Sequence, residues 1–376
     1  MAELLFVTWD GGGNVPPALG TARELQARGH TVRFLGHAVQ ADRLAAAGVG
    51  VEPTRHARRF DNRTDYSPLE ALRLFADRGL GRDLLDAVRR RPADLVVVDH
   101  LAFGAMHAAD EAALPYAVLE HAYDASLRTL LRGPMGLNLA LRRLHPHRAL
   151  DHAAARLLTT IPTLDPLPEP PAHLHRVGPV VDVAPRPAHG PAPDGRPLVL
   201  VSLSTFGFAR MRACLQAVLD ATRAVDADVV VTTGPAVDPA ALDVPPGVEV
   251  HRHVPHVELM PRASLVIGHG GHGTTMQALA HDLPVLVMPM DRLTDQPAVG
   301  RSLERAGAGR VVRKGAPPRR ITPLVEELLA DGPHQAAAAR LGAEVRSLPG
   351  ARLGADVLED VVRAAAVGRG RRAARR

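Results

Sequence analysis

The chain has 376 residues, 46% hydrophobic and 23% charged, the balance of a globular protein long enough for two domains of ordinary size. Its one cysteine, Cys214, excludes an internal disulfide and a cysteine-rich metal site. Net charge is +5, but 44 of the 45 basic residues are arginine, Lys314 being the exception. Only residues 369–376 cluster that charge, so composition argues against a nucleic-acid partner and reads the tail as a frayed, solvated end. No apolar run reaches the roughly 20 residues that cross a bilayer, and no signal-like segment opens the chain. A cytoplasmic location without stable membrane insertion is expected.

In chain order, the apolar run Leu4 to Trp9 breaks at Asp10-Gly11-Gly12-Gly13-Asn14 and leads through Pro16-Pro17 into an amphipathic segment ending near Arg28. This is strand, glycine loop and helix, since proline is tolerated in a first helical turn. It is a poor dinucleotide fingerprint: Pro16 stands at the sixth position after Gly11-x-Gly13, and no acid ends the second strand near Thr31 to Leu35. Further elements are a helix over 38–47, a short strand at 50–52, a loop over 55–66, a helix over 67–91, and the unbroken strand Leu95 to Val98 closed by Asp99-His100. A helix over 102–113 and a strand over 116–119 ending at Glu120-His121 follow. Four consecutive apolar residues suit a strand buried on both faces of a parallel sheet.

Residues 124–156 read as helices interrupted at Gly133-Pro134 and His145-Pro146, and residues 161–180 as a proline-rich connector. The second half repeats the alternation, with strands near 198–203, 229–232, 248–251, 264–267, 285–288 and 310–312. Alternating strands and helices in both halves predict two doubly wound parallel sheets, whose ligands sit beyond the carboxyl ends of the strands. The expected division is an N-terminal domain over 1–180, a linker over 181–196, a C-terminal domain over 197–350, and a C-terminal helix and basic tail over 351–376.

The most informative stretch is Ser264 to Thr275, an apolar strand that runs into His269-Gly270-Gly271-His272-Gly273-Thr274 and a helix start. The first turn of a helix leaves N–H groups unpaired at the positive end of its dipole, and glycines let an anion approach. Phosphate is the usual occupant, and the alternative is an ordinary βα turn of an α/β domain. No GxxxxGK[ST], GxSxG or HExxH occurs, which excludes a P-loop and a serine-hydrolase elbow and leaves the histidines 251, 253, 256, 269 and 272 without a zinc pattern. Strand ends supply the remaining candidates: Asp10, Asn14, His37, Asp99, His100, Glu120 and His121 in the first half, and Ser202, Ser204 and the segment Asp291 to Gln296 in the second. Asp99, a lone carboxylate closing a buried run, is expected to have a raised pKa suited to general-base work.

The ordered set His253-Val254-Pro255-His256, His269 to Thr275 and Pro289 to Gln296 resembles the donor-binding signature of bacterial nucleotide-sugar glycosyltransferases. These are GT-B enzymes of family 1, the kind that decorates antibiotics. Asn14 to Pro17, Arg28-Gly29-His30, Val177 to Val180 and Ser202 to Thr205 extend the resemblance over essentially the whole chain.

That resemblance implies two Rossmann-like domains facing a cleft, with the C-terminal helix packing back on the N-terminal, acceptor-binding domain. It places the base near Val254 and the pyrophosphate at His269, Gly270, Gly271, Gly273 and Thr274 with Ser204. Asp295 and Gln296 would hold the sugar. It implies inversion in one displacement without a metal, and no cofactor beyond the nucleotide sugar as co-substrate. Where such enzymes carry a histidine base, this chain has Asn14, and asparagine cannot accept a proton near neutral pH. The carboxylate that orients that histidine matches Asp99. The expectation is therefore that Asp99, with Asp10 as second choice, acts directly as base while Asn14 orients the acceptor.

A dTDP-linked deoxysugar is the expected donor. The expected acceptor is a small lipophilic natural product such as a polyketide, held by residues about 55–80 and 124–156 with Leu, Ala and Met linings. A homodimer stays open, as do a nucleotide-sugar epimerase and a catalytically silent nucleotide-sugar binding partner, the last because of Asn14.

Overall fold

A computed structural model describes residues 1–64, 67–182, 195–292 and 294–373, with side chains to 367 in the last stretch. Two all-parallel sheets carry the chain. The first comprises β1 (Glu3–Val7), β2 (Thr31–Gly36), β3 (Gly50–Pro53), β4 (Leu95–Asp99), β5 (Tyr116–Glu120), β6 (Ala155–Leu158) and β7 (Leu174–Arg176), in the order β3-β2-β1-β4-β5-β6-β7. The second comprises β8 (Leu198–Ser202), β9 (Asp228–Thr232), β10 (Val248–His251), β11 (Leu265–Gly268), β12 (Val285–Val287) and β13 (Gly309–Val311), in the order β10-β9-β8-β11-β12-β13. Strand order reverses beside β1 and β4 in one sheet and beside β8 and β11 in the other, where crevices open beyond the strand ends. Registers Val7 to Val98, Asp99 to Leu119 and Ser202 to Gly268 bring the intended strand ends side by side.

Both faces of each sheet are covered by helices, which is why β4 and β5 are buried along their whole length. One N-terminal core joins Leu5, Val96 and Val98 to Leu84, Phe103 and Met106; the other joins Leu4, Phe6 and Val97 to Ala18, Ala22 and Leu25. Ala355 and Leu358, from the helix Gly350–Ala373, complete this second core. Arg28 adds ion pairs to Asp356 at 2.6 Å and Glu359 at 3.2 Å. The last helix of the chain therefore packs on the first domain.

Three local differences from the sequence reading have physical causes. The helix expected over 67–91 is two, Pro68–Phe75 and Arg78–Arg90, each with its own cap: Ser67 accepts from the Glu70 amide and Asp77 from the Gly79 amide. Residues 155–156, read as the end of a helix, and 174–176, read as connector, belong to β6 and β7. The pattern of β6 is hidden by Arg156, a buried arginine that pairs with Glu120 at 2.5 Å and Asp124 at 2.9 Å. The linker expected at 181–196 falls mostly outside the described residues, as does the end of the basic tail.

The two halves also meet directly. Tyr123, Ile161 and Leu164 of the first half pack into the core built by Leu279, Val299, Leu303 and Leu341 of the second, and the Tyr123 hydroxyl lies 3.0 Å from Ser302 Oγ. The Thr163 amide donates to Glu344 at 3.1 Å. Among the described residues no helix is long and apolar enough to cross a membrane.

Candidate active site

Asn14 precedes the helix Val15–Ala27 but does not cap it with its side chain. Its Nδ2 instead donates to Asp99 Oδ2 at 2.8 Å, to the Trp9 carbonyl at 3.0 Å and to Thr8 Oγ1 at 3.1 Å. Asp99 Oδ2 also receives His121 Nε2 at 3.0 Å, and the Leu101 amide donates to Oδ1 at 2.9 Å. The expectation of a raised Asp99 pKa is corrected here. Burial alone would raise it, but the charge and hydrogen bond of His121, with His100 and the Leu101 amide, hold it far below the usual carboxylate range. Asp99 is also not among the residues lining the cleft, since Asn14 and His121 stand in front of it.

Asp10 is not among the residues that line the cleft; it takes the Asn62 amide at 3.1 Å on Oδ2, with Arg43 3.6 Å from Oδ1. His100 is buried beside Asp99 and lowered to about 3, chiefly by burial and by the charge of His121, so it is neutral. His121 moves the other way: burial would lower it, but Asp99, Asp295 and its own main chain raise it. Among the described residues Asp99, His100 and His121 form the group whose spacing could accept a metal ion. Asp99 already receives three N–H groups there, one of them from the uncharged Asn14, while His100 Nδ1 is buried without a partner among the described residues.

Across the cleft, β11 ends at Gly268 and the helix His272–Ala280 begins after a two-glycine bend. Gly270 has φ +82°, and a Cβ there would lie 2.6 Å from Val287 Cγ1 and 3.0 Å from the Gln296 carbonyl oxygen. The loop thus reaches its tight packing only with glycine. Burial lowers His269 to about 4 and His272 to about 3, and one ring nitrogen of each is buried without a partner among the described residues. The first-turn amides at this helix start lack intrahelical partners and mark the positive end of its dipole, with the neutral His269 ring lining the cavity beside them.

Ser204, Val254, His269, Gly271, Gly273, Thr274, Asp295 and Gln296 all line one cavity of about 1960 Å³ together with Asn14, His100 and His121. Gly270 is behind this surface and shapes it. Gln296 uses Oε1 to hold the Met290 and Asp291 amides at 2.7 and 3.0 Å, while Asp295 makes no helix cap and is pushed up to about 6 by burial, against the pull of His121. The opposite wall draws on Ala71, Leu72 and Phe75 and on Leu127, Leu130 and Met135, within both segments expected for the acceptor.

The expected Leu, Ala and Met lining is incomplete. Trp9 and Phe75 meet edge to face at 5.1 Å, and Phe206 and Phe208 stack at 5.7 Å at the cleft. The sequence reading also passed over Arg301 and Lys314, which line the cavity. Lys314 donates to the Met290 carbonyl at 2.8 Å, and its being the sole lysine is the one signal that could have singled it out.

Two parallel-sheet domains meeting at a shared cleft are the GT-B architecture. Residues 216–361 match the family described as erythromycin biosynthesis protein CIII-like, C-terminal domain. The 4'-demethylrebeccamycin synthase of Lentzea aerocolonigenes is 27% identical over 96% of this chain and 100% of its own length. The solved calicheamicin glycosyltransferase superposes with TM-score 0.79 at 23% identity, over 96% of this chain and 98% of that one. A second glycosyltransferase, solved in complex with dTDP, superposes with TM-score 0.71 at 21% identity, over 96% and 99%. In its matched C-terminal region, in sequence over nearly its whole length and in fold, the chain is similar to bacterial natural-product glycosyltransferases of the GT-B type.

Proposed function

We propose that the protein transfers a sugar from dTDP, a deoxysugar in the first instance, to a hydroxyl of a small lipophilic natural product, with inversion and without a metal. The observation that carries this reading is the two-sided cavity: neutral histidines and a helix start on one wall, apolar side chains on the other. The half-buried Val254 would pack on the base. The first-turn amides of Gly273 and Thr274, with His269 and the Ser204 hydroxyl, would receive the diphosphate. Asp295 and the Gln296 amide would contact sugar hydroxyls. The helix dipole and N–H donors supply positive potential where the leaving diphosphate gains charge, which supports a metal-independent reaction. The dTDP complex of a structural neighbour supports the choice of nucleotide.

A thermal-shift comparison of dTDP, UDP and NAD tests the donor. Stabilisation by dTDP above UDP, with none by NAD, is expected; stabilisation by NAD alone would overturn it. Nucleotide-sugar binding without transfer to any aglycone would instead favour a catalytically silent binder, the reading that Asn14 keeps in play.

A further inference from the structure

The chain has no histidine on the loop after β1, yet the carboxylate that would serve one there is in place and engaged. Asp99 Oδ2 divides itself between two neighbours at nearly equal distance, Asn14 Nδ2 at 2.8 Å and His121 Nε2 at 3.0 Å. Asn14 can only donate in that contact. The structure assigns His121, standing just past β5, as the residue that takes the acceptor hydroxyl's proton, with Asp99 as its positioning residue. This rests on the glycosyltransferase reading and names the base that it needs.

The hydrogen bond to Asp99 and the place of His121 on the cleft wall support that role. Because Asp99 is ionised, His121 must donate Nε2–H to it, so the neutral ring keeps its lone pair on Nδ1. The His121 side chain is 11% exposed and lines the cleft, whereas Asp99 does not. Asn14, on the same wall, is 2% exposed with Oδ1 buried and without a partner among the described residues. It donates to the same Oδ2 that His121 engages.

The charges around His121 suit an imidazolium formed in passing. Asp99 lies behind it, Asp295 faces it from the other domain, and the neighbouring rings of His100, centred 4.3 Å away, and His272 are both neutral. In the step itself the acceptor O–H bond breaks and its proton goes to His121 Nδ1. The oxygen's electron pair forms the new C–O bond at the anomeric carbon, and the bond from that carbon to the diphosphate breaks with its electrons leaving on phosphate. The upward shift of His121 moves the lower limb of the pH–rate profile in the same direction.

The test compares wild type with His121→Gln in a dTDP-sugar and aglycone assay. It reads kcat against pH, the thermal shift given by dTDP, and the ring 15N spectrum of His121. His121→Gln is expected to lower kcat by about a hundredfold or more and to abolish the acid limb, with the dTDP shift unchanged. A variant retaining kcat within about fivefold, with the acid limb intact, would overturn the assignment, as would wild-type turnover that EDTA abolishes and zinc restores.

Should the glutamine variant fail to fold, wild type and Asp99→Asn decide by NMR. The Nε2–H tautomer and a His121 pKa that falls in Asp99→Asn support the dyad; an Nδ1–H tautomer, or a pKa unmoved, contradicts it. A wild type that neither responds to dTDP nor transfers sugar would remove the glycosyltransferase reading itself, while the NMR result still reports on the dyad.

Discussion

At the scale of single residues, the cleft works by setting neighbouring ionisable groups in opposite protonation states. Asp99 is kept ionised by its donors, His100, His269 and His272 are kept neutral by burial, and Asp295 sits near the middle of its titration at about 6. Asp295 therefore has a folded pKa above its model value of 3.8. Such a group stabilises the fold fully below the unfolded pKa, and that contribution is lost as pH rises through the folded one. Asp295→Asn should accordingly melt like wild type near pH 4 and be more stable than wild type above pH 6, by on the order of 1–2 kcal/mol without ligand. Thermal melts across that range check it; a pH-independent difference would show that burial at this position is relieved by solvent.

Legibility at this scale was uneven. Residues that line the cleft through loop position, such as Gly273, Thr274 and Asp295, could be read from spacing and resemblance. Protonation could not be: the buried run before Asp99 is visible in sequence, but the groups that reverse its shift are His121, His100 and the Leu101 amide. His121 was visible as a polar strand end, and nothing in the linear chain shows that β5 lies beside β4 with this side chain on that carboxylate.

At the scale of elements, the strands that carry the site were plain because each is a short apolar run before a turn. β6 and β7 were not, because a buried ion pair replaces apolar side chains at Arg156 and β7 is a short edge strand with only Leu174 buried. Arg156→Leu would leave Glu120 and Asp124 buried without their shared cation. A loss of roughly 3–5 kcal/mol is expected in chemical denaturation, and a loss within 1 kcal/mol would show that these carboxyls protonate at little cost.

The glycine bend before the helix His272–Ala280 makes a second element-scale prediction. Gly270→Ala meets both a positive φ and the Val287 and Gln296 contacts. It should cost on the order of 1–3 kcal/mol and weaken dTDP binding, measured by denaturation and calorimetry. Unchanged affinity would mean that the bend does not set the anion site.

At the scale of the whole molecule, the cleft depends on how the chain closes on itself. The helix Gly350–Ala373 follows the second domain yet buries Ala355 and Leu358 against Ala18, Ala22 and Leu25 of the first. A chain ending at residue 349 should expose that apolar seam and show a melting temperature lowered by several degrees or outright aggregation. An unshifted melt would mean that the helix is dispensable to the first domain.

The two-domain architecture was legible because both halves repeat one strand-and-helix grammar. The contact of Tyr123 with Ser302 was not, since a tyrosine just past β5 reads as a loop residue until the second domain is beside it. The central claim is a single inverting displacement across this cleft. Its most direct measurement is NMR of the product formed from an α-linked dTDP-sugar and a lipophilic aglycone in the presence of EDTA. The account predicts a β-linked product with one dTDP released per transfer; an α-linked product, or no transfer until a divalent ion is restored, would contradict it.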